Sequence, residues 1–191
     1  MSLAPGWLKM SMCKPFAAHM RTLRTLFRVL LVAAPVLAEA GFDPRNGGPG
    51  LGRPAPDYQG TIVSGDGSGL PQGSSSAAQG EAIFALRCAA CHGVDGQLAG
   101  NSLVGGIGSL ATASPLKTVG SYWPYAPTLY DYIARAMPYN DEKSLTVDEV
   151  YAVTAYVLYL NRIVELNQVL SDKNLADVNM PNRGGFIELQ E

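Results

Sequence analysis

The sequence predicts a small all-α domain flanked by irregular segments at both ends, and three features lead to that reading. The first is the capping box Thr146-Val147-Asp148-Glu149, after which Val150, Val153, Val157 and Leu160 recur at helical spacing. The second is the stretch 76–88, where Gly80, Phe84 and Cys88 return every four residues and so share one helix face. The third is residues 43–73, with 9 Gly and 5 Pro in 31 residues and few apolar side chains, a composition that cannot build a core of its own.

From the N-terminus, residues 1–40 read as sequence upstream of the mature protein. Arg21, Arg24 and Arg28 precede a short apolar run from Val29 to Leu37, and Ala38 and Ala40 are small residues suited to cleavage. This is the layout of a secretory signal peptide with Met20 as initiator, and the run is too short to span a bilayer; a retained anchor is the other reading. Residues 41–75 follow as a Gly/Pro-rich extended strap, with Leu51, Ile62, Val63 and Leu70 spaced to dip into grooves on the folded part.

The domain proper is expected over 76–162. Its first helix opens at Ser76 or Ala77 and runs to about Leu86. Gly93 to Gly120 reads as one loop, long enough that it needs some other apolar surface to pack on. Pro127-Thr128 starts a second helix, Leu129 to about Ala136, which Pro138 ends. The capped third helix carries Tyr156 on the flank of its apolar stripe. A weaker pattern allows helix at Ile163 to Leu170, and residues 163–191 form a C-terminal extension.

The chain of 191 residues has a formal charge of −2. Removal of residues 1–40 takes five of the 14 basic residues and one of the 16 acidic ones, leaving nine against 15 and a charge of −6. Such a surface argues against nucleic acid as a partner. It allows steering towards a basic patch on another protein, or simply keeps the chain soluble.

Cys88-Ala89-Ala90-Cys91-His92 spells C-x-x-C-H, the attachment pattern of c-type haem. The chain has 3 Cys and 2 His in all, and the others, Cys13 and His19, lie in the upstream region. After processing, both thiols and the one imidazole belong to a single pentapeptide. A second attached haem, bis-His ligation, a Cys/His zinc site and a structural disulfide are thereby excluded. Thioether bonds from Cys88 and Cys91 would fix the porphyrin, with His92 beneath the iron as proximal ligand.

For the sixth ligand the mature chain offers two methionines, because Met1, Met10, Met12 and Met20 are upstream. Met137 is preferred: it stands at a helix end, before Pro138 and ahead of the capped helix. Met180 in the tail is the alternative, and an open or water-bound iron is the third. His/Met ligation raises the reduction potential and leaves no vacant position, which suits electron transfer rather than substrate chemistry. Trp123 and Tyr122, with Tyr125 nearby, read as donors to the haem propionates, Arg87 and Lys117 adding charge, or else as an ordinary aromatic cluster under a loop.

Gly80-x-x-x-Phe84-x-x-x-Cys88-Ala-Ala-Cys91-His92-Gly93, Met137-Pro138 and the capped helix with Ala155-Tyr156 together resemble a class I cytochrome c over residues 76–162. The resemblance implies the class I cytochrome c fold, with the helix around Gly80 and Phe84 crossing closely that around Val153 and Tyr156. A narrower likeness rests on Gly52-Arg53-Pro54-Ala55, Asp66-Gly67-Ser68-Gly69-Leu70-Pro71, Val119-Gly120-Ser121-Tyr122-Trp123-Pro124-Tyr125-Ala126, Arg135-Ala136-Met137-Pro138-Tyr139 and Val178-Asn179-Met180-Pro181-Asn182-Arg183. This set is similar to the cytochrome subunit of the Sox sulfane dehydrogenase, often called sulfite dehydrogenase.

That likeness implies a periplasmic mono-haem cytochrome accepting electrons from a molybdenum-cofactor subunit in sulfur oxidation. It would pass them to a downstream c-type cytochrome or other acceptor. Some members of that family carry two haems, whereas this chain has one attachment motif. With no spare cysteine for a molybdenum thiolate, no catalysis is expected from this chain alone. The alternatives are a free diffusible carrier between respiratory complexes, and a haem enzyme or gas sensor with an open distal site.

Overall fold

The structure, a computed structural model, describes residues 54–187. The expected signal segment, Cys13, His19 and Leu51 lie outside the described residues. Within them are five α-helices and one short strand pair.

Helix α1 (Ala77–Arg87) begins at a capping box: the Ser76 hydroxyl accepts from the Gln79 N–H, and the Gln79 side chain accepts from the Ser76 N–H. A bend at Cys88 leads into α2 (Ala89–His92). The loop expected through Gly120 in fact ends earlier, because Thr118 and Ser121 form a second capping box that starts α3 (Val119–Tyr122). Helix α4 (Ala126–Ala136) carries Pro127 in its first turn, where no intrahelical N–H is required, and Met137 as its C-cap. Thr146 and Glu149 cap α5 (Val147–Leu160) as the sequence pattern predicts.

Helix α5 is the centre of the domain, not a helix with one apolar stripe. Every residue from Val150 to Leu158 is buried, Tyr156 included. The surrounding faces are taken by α1, by α4 and by strands β1 (Ser74–Ser76) and β2 (Val169–Ser171). A helix that is apolar all round is stable only inside such a shell. At its crossing with α1, Gly80 admits the backbone of Ala152, and Phe84 meets Tyr156 with ring centroids 5.2 Å apart.

The helix allowed at Ile163 to Leu170 does not form. Helix α5 ends in a Schellman motif: the Ile163 N–H donates to the Leu158 carbonyl at 3.0 Å and the Arg162 N–H to the Tyr159 carbonyl at 2.8 Å. Arg162 takes the left-handed conformation, φ 59°, so the motif lacks its usual glycine signal. The chain then turns into β2, which pairs antiparallel with β1, Ser75 opposite Leu170. Leu170, Leu175, Val178 and Met180 are buried in the same core as α5, so this segment closes the domain instead of trailing from it. In the strap, Val63 is buried and Leu70 packs on the core, but Ile62 is 75% exposed. No helix among the described residues is long and apolar enough to cross a membrane.

Candidate haem-binding site

The site begins where α1 runs out. The Cys88 N–H donates to the Phe84 carbonyl at 2.9 Å, and the N–H groups of Cys91 and His92 both donate to the Cys88 carbonyl, at 3.1 and 3.0 Å. This one tight turn brings both sulfurs and the imidazole to the end of a single helix. Gly93, at φ 82°, then reverses the chain, and the Leu98 N–H donates to the His92 carbonyl at 2.9 Å.

The returning loop fixes the imidazole. His92 Nδ1 lies 2.8 Å from the backbone carbonyl oxygen of Asn101. A carbonyl oxygen only accepts, so Nδ1 carries the proton and Nε2 is left with its lone pair. That is the tautomer an iron ligand needs, held by the kind of partner that orients metal-bound histidines. Because Asn101 acts through its main chain, no side-chain pattern could have announced it.

Cys88, Cys91 and His92 open on a cleft of about 1080 Å³, at the upper end of the range of about 300–1,000 Å³ usual for small-molecule sites. Helix α1 adds Phe84 to its lining, α4 adds Leu129, Ile133 and Met137, and α5 adds Val153 and Val157. The long loop contributes Leu103 and Leu116, which explains how so irregular a segment finds apolar surface to pack on. Both cysteines are free thiols. Burial pushes the Cys88 thiol up to about 11, with Arg87 pulling it part of the way back. Two free thiols, an imidazole with its Nε2 available and a large apolar cleft fit a covalently held porphyrin.

Met137 lines the cleft, half-buried. Met180 does not: it is 1% exposed and packed in the core beside Leu175 and Val178, a gap-filling use of methionine. Trp123 lines the cleft and meets Tyr132 edge-on, centroids 5.7 Å apart. Tyr122 is not among the residues that line the cleft. Its ring stands against Phe186 at 5.4 Å, with Lys117 Nζ 5.1 Å from its centroid, and its carbonyl accepts from the Asn182 side chain. The C-terminal segment thus contacts α3 through Phe186 and Asn182. Arg87 is at the cleft too, but its guanidinium is engaged, donating to Asp141 and to the Ser144 hydroxyl, each at 2.6 Å.

Sequence reasoning missed Asn161. Its Nδ2 donates to the carbonyls of Leu103 and Val157, and its Oδ1 accepts from the Gly105 N–H at 3.3 Å. Gly120 stands against the same side chain, leaving no room for a Cβ. One buried amide thus ties the cleft loop and α3 to the end of α5. At a helix C-cap an asparagine looks ordinary in sequence, so nothing marked it out.

Residues 77–161 match the family profile described as Cytochrome c. Over 106 residues the chain is 31% identical to photosystem II extrinsic protein V of Microcystis aeruginosa, which covers 48% of this chain and 78% of that protein. Among solved structures, a chain of the sulfane dehydrogenase SoxCD from Paracoccus pantotrophus is similar, with a TM-score of 0.66 and 46% identity, covering 72% of this chain and 71% of that one.

Proposed function

This chain belongs to the class I c-type cytochromes, and from that premise we propose that it is the single-haem, electron-accepting subunit of a periplasmic sulfane dehydrogenase. Haem c is its cofactor. When bound, the haem supplies a one-electron iron centre, and the protein's part is to set its ligands, its polarity and its access to solvent.

In this reading Cys88 and Cys91 would hold the porphyrin, and His92 through Nε2 and Met137 through its sulfur would hold the iron. The observation that carries it is the convergence of the two free thiols, the oriented imidazole and the Met137 thioether on one apolar cleft. The hydrogen bond to Asn101 keeps His92 from rotating or taking the other tautomer. Leu129, Ile133, Val153 and Val157 give the cleft apolar walls, and Trp123 adds an aromatic ring to its lining. Held by His92 and Met137, the haem would supply one-electron transfer rather than oxygen or peroxide chemistry.

The partner follows from the likeness to the sulfane dehydrogenase at 46% identity. A molybdenum-cofactor subunit would carry out sulfur oxidation, and this chain would take the electrons one at a time and hand them to a downstream c-type cytochrome or other acceptor. Export by the segment ahead of residue 41 places haem attachment and partner outside the cytoplasm. The test is to mix the purified haem protein with such a catalytic subunit and its sulfur substrate. Haem reduction that needs both components supports the proposal. Reduction no faster than by substrate alone overturns it.

A further inference from the structure

Met137 is the C-cap of α4, and the chain on both sides of it is tied to one segment of the strap. Before it, Asp131 and Arg135 stand one helical turn apart, with Arg135 Nε 2.8 and 2.9 Å from the two carboxylate oxygens. Arg135 Nη2 reaches across to donate to the carbonyls of Gly60, at 3.2 Å, and Thr61. Asp131 Oδ1 in turn accepts from the Val63 N–H at 3.0 Å. Beyond Met137, the Ala55 N–H donates to the Lys143 carbonyl at 2.7 Å, and Asp57 Oδ2 accepts from the Val147 N–H, the first residue of α5, at 2.8 Å. Strap residues 55–63 therefore bridge the last turns of α4 to the far end of the loop that starts at Met137.

Burial does little to hold this bridge. Within 54–63 only Ala55 and Val63 are buried, and Ile62 faces solvent. The contacts are directional hydrogen bonds, three of them to an ion pair, and such contacts set position more than they add apolar stability. The opposite side of the loop is held at Asp141 and Ser144 by Arg87, the residue next to Cys88. The loop is thus braced from both the proximal turn and the strap.

We propose that strap residues 55–63 brace the distal loop, with Asp131 and Arg135 as positioning residues that keep the Met137 sulfur at the haem iron. This rests on the reading of Met137 as sixth ligand. A thioether is a neutral, weakly basic ligand, so its occupancy depends on how seldom the loop that carries it swings open. The brace lowers that opening frequency from outside the cleft, touching neither porphyrin nor iron. Whatever releases the strap would free a coordination position and lower the reduction potential.

The experiment uses the full-length, haem-loaded protein and imidazole as a competing ligand for the ferric iron. Its readouts are the imidazole association rate and the red charge-transfer band of a ferric iron–thioether bond. Arg135→Gln and Asp131→Asn each break the ion pair, and imidazole should enter about tenfold faster, as expected for loss of charge-assisted hydrogen bonds that resist opening. The thioether band should weaken in both, and Arg135→Lys, which keeps a cation and a donor, should recover part of it. Asp57→Ala loosens the other end of the bridge and gives the same reading should the ion-pair variants fail to fold. Wild-type rates and an unchanged band in the folded variants overturn the brace alone. Absence of the band from the wild-type protein overturns the ligand reading, and the brace with it.

Discussion

A side-chain carbon at Gly80 would run into the backbone carbonyl oxygen of Ala152 and the Cβ of Tyr156, so α1 and α5 cross at a contact only glycine permits. The crossing sets where Phe84 and, one turn on, Cys88 stand relative to Val153 and Val157. It thereby determines the width of the cleft.

Gly80→Ala tests this directly. The gain in helix propensity is outweighed by overpacking at backbone that cannot move aside, and the haem protein should lose about 2 kcal/mol in denaturant unfolding. An unchanged denaturation midpoint would show that the helices can separate freely.

Asn161→Ala removes the amide that serves Leu103, Gly105 and Val157. It leaves the Gly105 N–H without this partner, while the Leu103 carbonyl keeps the Val119 N–H at 3.2 Å, and the expected loss is about 2 kcal/mol. Hydrogen exchange should report the damage first at residues 103–105, because that is where the bonds end.

The two methionines should separate cleanly. Met137→Ala is expected to leave haem attached, abolish the iron–thioether band and lower the reduction potential. Met180→Leu is expected to keep band and potential and to cost no more than about 1.5 kcal/mol, as a volume-conserving exchange in the core. A spectral change in Met180→Leu with none in Met137→Ala would reverse the assignment.

Alkaline stability should depend on two tyrosines. Burial raises the phenols of Tyr130 and Tyr151 well above their ordinary value, helped at Tyr130 by Tyr151 and three aspartates and at Tyr151 by Asp172 and Asp148. Their ring centroids lie 4.5 Å apart, the rings tilted by 44°. The folded protein thus holds these protons more tightly than the unfolded chain, so the stability they contribute is complete below about pH 10 and declines as pH rises above it. Denaturant midpoints followed by circular dichroism across that range should fall steeply in the wild type and less steeply in Tyr130→Phe. Parallel curves would refute the coupling.

Much of this was legible in residue order alone. The C-x-x-C-H turn, the capping box at Thr146 and the spacing of Gly80, Phe84 and Cys88 are local patterns, and a helix expresses local patterns directly. The weak periodicity at 163–170 misled because Arg162 occupies a left-handed position that usually signals itself with glycine. The contact of Tyr122 with Phe186, 64 residues away in the chain, was not legible at all, because nothing local announces it.

By itself, then, the residue order determined the haem chemistry and the starts of α1 and α5, since these depend on which side chains exist and how they are spaced over a few positions. Tertiary structure alone decided that Met137 and not Met180 lines the cleft, that the Asn101 carbonyl selects the His92 tautomer, and that the strap bridges both sides of Met137. Those outcomes rest on main-chain groups and on contacts between segments far apart in the chain, and such contacts leave no periodic trace in the order of residues.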